Sequence, residues 1–189
     1  MHDLKWWLAP LSGAIAIVGY LYLAVEWKQG WNPARASWFS WIFILGGIAT
    51  AMIAGGSGNT AILPACYCVG TTFIWILSLK RGVGGWTKTD CTCMGLVLAS
   101  MIGWILTGSP VVSVFLNILA DLAAGGPTFL KLWKDPRSES RIGWSIFALA
   151  AACDILAART PSFTEAGYPV FAALFCIVIV LLTYRRRTQ

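Results

Sequence analysis

Asp121 is the residue of this sequence with the sharpest chemical consequence. It lies near the middle of the apolar stretch Val111–Phe129. On insertion scales an Asp at the centre of a bilayer costs about 2.5–3.5 kcal/mol. Such residues face a bundle interior or a water-filled cavity, and they mark ion, proton or substrate pathways. Asn117 stands four residues before it, Ser113 four before that, and Thr128 seven residues after. Helical geometry puts all four on one face. The chemistry on offer is proton exchange at one titratable carboxylate, flanked by neutral hydrogen-bonding groups. The competing role is a structural acid that holds helices together. Gly125-Gly126-Pro127 follows on the same stretch. Proline removes a backbone donor and breaks the helical ladder, so these three residues are a candidate hinge or a plain helix end.

The other reactive residues suggest less. Asp154 falls in the sixth apolar stretch, with Arg159 and Glu165 beyond its end, and reads as part of an interfacial ion cluster. Cys66 and Cys68, and Cys91 and Cys93, are paired at one-residue spacing, unlike zinc knuckles, and read as small apolar packing. Gly55-Gly56-Ser57-Gly58 superficially resembles the Gly-x-Ser-Gly of rhomboid proteases. That chemistry needs a histidine, and the one histidine is His2 in the N-terminal tail. The seventh stretch has no Lys for a retinal Schiff base. No enzyme, cofactor or metal site is therefore expected.

The elements that must position Asp121 follow from composition. The chain has 189 residues, 58% of them hydrophobic and 12% charged, about half the charged fraction of a soluble domain. Crossing a hydrocarbon core of about 30 Å takes about 20 apolar residues in a helix. Seven stretches approach this: Trp6–Val25, Ser37–Ala54, Ala61–Leu79, Thr92–Leu106, Val111–Phe129, Ile142–Ala158 and Tyr168–Thr183. The first ends in Glu26-Trp27-Lys28 and reads as a retained helix, not a cleaved leader. The expected fold is all-α integral membrane, with seven transmembrane helices.

Charge placement orients them. Twelve of the fourteen Lys and Arg fall in alternate loops on one face: Lys28 and Arg35; Lys80, Arg81 and Lys88; Lys131, Lys134, Arg137 and Arg141; Arg185, Arg186 and Arg187. Lys5 and Arg159 take the other. The positive-inside rule sends the crowded face to the cytoplasm, with the N-terminus outside and the C-terminus inside. Trp6, Trp7 and Trp104 then mark the outer interface, and Trp27, Trp31, Trp86 and Trp133 the inner one. The basic residues read as topology signals and lipid-headgroup contacts, so nucleic acid is not an expected partner.

The chain also repeats itself. In one gap-free register Gly19 falls on Gly125, Trp27 and Lys28 on Trp133 and Lys134, and Arg35 and Trp38 on Arg141 and Trp144. With a slip of one residue Pro64 and Lys80-Arg81 meet Pro169 and Arg185-Arg186. Three helices thus recur after one intervening helix. The divisions are 1–81 (first triple-helix repeat), 82–108 (linker helix) and 109–189 (second triple-helix repeat and basic tail). An odd linker makes the repeats parallel, related by an axis along the membrane normal.

This 3+1+3 plan resembles the SWEET and PQ-loop superfamily of small membrane transporters. The resemblance is clearest from Gly126-Pro127-Thr128-Phe129-Leu130-Lys131-Leu132-Trp133 through Lys134-Asp135-Pro136-Arg137-Ser138-Glu139-Ser140, which looks like a second PQ-loop. Ser37-Trp38-Phe39-Ser40-Trp41 together with the Pro-Thr-Phe stretch is similar to a bacterial branch of such proteins. Thr128 stands where the superfamily has Gln, and Tyr20-Leu21 replaces the first Pro-Gln pair. The paired Asn residues of the sugar transporters have no counterpart. The third helix offers Cys66, Cys68, Thr71 and Thr72, and the seventh offers Cys176. Sugar is therefore not the implied solute.

What the resemblance implies is a small-solute transporter of the bacterial inner membrane, working by alternating access around a central cavity. Asn117, Asp121, Trp38, Trp41, Trp144, Thr71 and Thr128 would contact solute. Asp121 would couple protons, and Gly125, Gly126 and Pro127 would hinge. The alternative is a non-transporting receptor that binds a small ligand in the same cavity. The expected partners are a small-molecule solute, the lipid bilayer and, as one option, further copies of the chain in a homo-oligomer.

Overall fold

The computed structural model describes residues 2–84 and 88–185. Trp86, Arg186 and Arg187 lie outside the described residues. The described chain is all-helical: α1 (His2–Lys28), α2 (Arg35–Ala54), α3 (Ile62–Lys80), α4 (Lys88–Thr107), α5 (Pro110–Ala124), α6 (Gly126–Lys134), α7 (Arg141–Ala157) and α8 (Phe163–Thr183). Serines open three of them. Ser109, Ser140 and Ser162 accept from the backbone N–H groups of Val112, Gly143 and Glu165, which satisfies donors that have no partner inside the helix.

Only Gly125 separates α5 from α6, and its own conformation is helical (φ −71, ψ −18). Its N–H bonds Asp121 O at 2.9 Å, and Phe129 N bonds Gly125 O at 3.0 Å, so the two form one stretch with a local defect. Pro127 supplies the defect, because it has no N–H to give the carbonyl four residues back. Five stretches are long and apolar enough to cross a membrane: Lys5–Lys28, Arg35–Ala54, Ile62–Lys80, Pro110–Lys134 and Phe163–Thr183. Large apolar side chains cover their outer surfaces, among them Val18, Leu21, Ile53, Val69, Leu122, Leu174 and Leu181. A soluble monomer does not expose so much contiguous apolar surface. The chain is a helical protein embedded in a membrane.

Packing follows a pattern. α3 packs on both α1 and α2, and α8 packs on α7 and on α5 and α6. Between these groups α1 lies along α7 and α2 along α5, while α4 packs chiefly on α5. Glycines set the closest approaches. A Cβ on Gly70 of α3 would fall 2.0 Å from the Tyr20 ring of α1, and one on Gly125 would fall 2.5 Å from the Phe175 ring of α8.

One end of the bundle is held by paired arginine clasps. Arg35 Nε donates to Ser78 O at 2.9 Å, and Arg141 donates to Thr183 Oγ1 at 3.1 Å and to Thr183 O at 2.9 Å. The Arg81 guanidinium sits 4.5 Å from the Trp27 ring and donates to Trp27 O. Arg185 sits 4.1 Å from the Trp133 ring and donates to Trp133 O.

At the other end two features differ from the sequence reading. α8 begins at Phe163 and not at Tyr168, because Ser162 caps it and Glu165 accepts from the N–H groups of Arg159 and Thr160 at 2.8 and 2.7 Å. Asp154, Arg159 and Glu165 lie within reach of one another's charge, but among the described residues no salt bridge joins them. Asp154 is fully buried against Ser12 of α1, and Arg159 stacks 3.8 Å from the Trp6 ring centre.

Candidate functional site

At the centre of the bundle lies a cavity walled by both groups of helices. Tyr20 of α1, Trp38, Trp41 and Leu45 of α2, and Tyr67 and Thr71 of α3 form one side. Asp121 of α5, Trp144 and Phe147 of α7, and Tyr168, Phe171, Ala172, Phe175 and Cys176 of α8 form the other. The rings touch edge to face in a continuous shell. Trp38–Trp41 centroids are 5.2 Å apart, Trp41–Trp144 6.1 Å and Trp144–Phe147 5.8 Å. Tyr20–Phe147 centroids lie 4.7 Å apart. The rings border about 430 Å³ of non-atom space, partly open to its surroundings, in which the centres of water-sized molecules can occupy about 50 Å³. That holds a few waters. Anything larger requires the rings to part.

The polar groups of the wall are few and mostly engaged. Tyr20 Oη and Thr71 Oγ1 share a hydrogen bond of 2.8 Å. Tyr67 Oη donates to Phe147 O at 2.8 Å. Asp121 is 6% exposed, and that exposure opens into the cavity. The indole N–H of Trp41 lies beside its carboxylate but makes no hydrogen bond of ordinary geometry. No Lys or Arg lines the cavity among the described residues.

Of the residues singled out from the sequence, Trp38, Trp41, Thr71, Asp121 and Trp144 meet at this cavity, and Asn117 and Thr128 do not. Asn117 is buried one turn away against Gly47 of α2, where an added Cβ would lie 3.1 Å from its Oδ1. Its amide donates to Ser113 O at 2.9 Å. Thr128 is buried on α6 away from the lining. Gly125 meets the cavity indirectly, because its missing side chain makes room for Phe175. Gly126 and Pro127 start α6 just beyond.

Sequence reasoning passed over Tyr20, Tyr67, Phe147, Tyr168, Phe171 and Phe175 as site residues. A usable signal lay in the tyrosines, whose hydroxyls in apolar stretches need partners and therefore face inward.

Trp144 leads into a chain of polar contacts toward the arginine-rich end. Trp144 Nε1 donates to Glu139 Oε2 at 3.2 Å, and Glu139 Oε1 pairs with Lys131 Nζ at 2.9 Å. Lys131 also reaches across to Asn32 O, between α1 and α2, at 3.3 Å. At the opposite end Ser57 Oγ meets Thr164 Oγ1 at 3.5 Å, Lys5 Nζ donates to Ala158 O at 2.7 Å, and Asn59 donates to Ala157 O at 3.3 Å.

No protein-family model, curated protein or solved structure matches this chain. The site therefore has to be read from its own chemistry.

Proposed function

We propose that this chain is a small-solute membrane transporter that works by alternating access around the central cavity, coupled to protons through Asp121. The observation that carries the reading is the cavity itself. It lies between two groups of helices, holds one carboxylate with no cationic partner among the described residues, and has hydrogen bonds bridging the helix groups toward both ends of the bundle. Such an arrangement suits an occluded intermediate between two open states.

Support for two repeated halves, 1–81 and 109–189 about a linker helix in 82–108, comes from the packing. The pairs α1–α7 and α2–α5 exchange under the sequence register of the repeat, and so do the Arg35 and Arg141 clasps. α4 and α7 complete the seven spans of this reading. The proposed orientation has the clasped, arginine-rich end in the cytoplasm and the Ser57 turn outside, in a bacterial inner membrane.

The test is reconstitution. The full chain in liposomes, with a pH gradient imposed, should move a solute that binds the cavity, and the flux should reverse with the gradient. A solute that binds but never crosses would instead identify a receptor and overturn the transporter reading.

A further inference from the structure

We infer that the solute of this cavity is a small organic ammonium ion, exchanged one for one with the proton of Asp121. This rests on the transporter reading for its exchange step only; the binding chemistry stands without it.

The wall offers one ionisable acid and an aromatic box. A carboxylate in an apolar enclosure with no cationic side chain carries a large desolvation cost unless a positive charge accompanies it. A neutral solute leaves that cost in place, and an anion raises it. A proton or a cation removes it. Aromatic rings favour a cation further through the quadrupole of their faces. Trp38, Trp41, Trp144 and Tyr20 supply such rings around Asp121. A polyhydroxy solute would find few groups to bond, because Thr71 and the Tyr20 hydroxyl hold each other and Tyr67 holds Phe147 O, which leaves the Tyr168 hydroxyl. The free donor beside the acid is the Trp41 indole N–H, which can steady the carboxylate in either state.

No element packed around Asp121 brings a cationic side chain into the cavity among the described residues. Its titratable neighbours are Tyr20 on α1, Tyr67 on α3, and Tyr168 and Cys176 on α8. α2 brings Trp38 and Trp41, and α7 brings Trp144 and Phe147. Lys131 of α6 is committed to Glu139 outside the cavity, and no described side chain of α4 lines it. None of these is cationic, so the positive charge has to come from the occupant. In the exchange, the ammonium ion enters, the Asp121 O–H bond breaks, and the proton passes to water on the open side. The reverse step reloads the proton from the other side. No bond to the ammonium nitrogen changes.

The experiment is equilibrium binding to the full chain in lipid nanodiscs, read by calorimetry and by quenching of tryptophan fluorescence. The probes are tetramethylammonium and tert-butylammonium, with tert-butanol as the neutral match. The ammonium ions should bind at least tenfold tighter than the alcohol. Below the transition their apparent affinity should fall by up to about tenfold per pH unit, with about one proton released per ion bound. Asp121→Asn should erase both the pH dependence and the proton release. Asp121→Glu, which keeps the charge should the Asn variant fail to fold, should retain both. Trp144→Leu should weaken ammonium binding while leaving the pH slope intact. Equal binding of alcohol and ammonium, no ammonium binding, or a pH slope that survives in Asp121→Asn would each overturn the inference. Ammonium binding without flux would sink the transporter reading and leave this one standing. Flux of a neutral solute without ammonium binding would do the opposite.

Discussion

Asp121 and Asp154 are both buried carboxylates, yet their surroundings give them different work. Asp121 opens into a cavity, whereas Asp154 is sealed between α1 and α7 and is not part of the cavity lining. Ser12 Oγ lies 3.0 Å from Asp154 Oδ1 and 2.7 Å from Ala9 O. A hydroxyl carries one hydrogen. The Ser12 hydrogen is shared between the two oxygens, and the contact with Asp154 ties α1 to α7. Ser12→Ala should then cost about 1–3 kcal/mol of stability, the penalty for a buried polar group that loses its partner. Thermal unfolding in detergent measures it, and solute affinity should be unchanged. A large change in affinity with stability intact would move Asp154 into the functional site. Asp121→Asn should show the complementary pattern in liposomes: near-normal stability, but transport that no longer responds to a pH gradient. Unchanged rate and pH response would make Asp121 structural. Asp121 was legible in the sequence because a charge in an apolar stretch stands out. The aromatic wall was not, since Phe, Tyr and Trp are ordinary in membrane helices and only packing decides which face inward. Asn117 shares Asp121's helix face, but the close approach of Gly47 fills the space in front of it.

Helices meet here through glycine–aromatic contacts. Tyr20 of α1 packs on Gly70 of α3, whereas Phe175 of α8 packs on Gly125 between α5 and α6. Gly70→Ala forces the Tyr20 ring to move, and that ring also bonds Thr71 in the cavity wall. Overpacking of this kind costs about 1–3 kcal/mol. The variant should melt earlier and bind solute more weakly, and trimming the ring in Gly70→Ala/Tyr20→Leu should restore the melting temperature without restoring binding. A full return of binding would show that Tyr20 has no part in the site. Apolar length made the long helices legible, and Gly125-Gly126-Pro127 marked the defect in the fifth stretch. The start of α8 was hidden because Phe163–Gly167 includes Thr164 and Glu165 and looks like loop. Its helical state comes from the Ser162 cap and from Glu165 gathering two backbone donors, which only the folded turn brings together.

At the scale of the whole molecule, opposite ends of the bundle carry different closures. The arginine-rich end is bridged by an ion pair through Lys131, Glu139 and Asn32, and the other by hydrogen bonds around Ser57, Thr164 and Asn59 together with the Lys5 ammonium on Ala158 O. If access alternates, the two closures open in turn, and each can be locked alone. Ser57 follows α2 and Thr164 lies in the first turn of α8, and their hydroxyl oxygens are 3.5 Å apart. A disulfide needs β-carbons about 3.5–4.5 Å apart, so a small adjustment would admit one. In a chain whose native cysteines are replaced, Ser57→Cys/Thr164→Cys should cross-link on mild oxidation. With that end held shut, solute should still reach Asp121 from the arginine-rich end, so binding should persist. Net flux across the liposome should stop and return with reductant. Because the lock lies away from the cavity lining, a loss of binding on oxidation would show that solute enters only past Ser57. Undiminished flux through the oxidised protein would show that this closure does not gate, and the alternating-access scheme would fail with it.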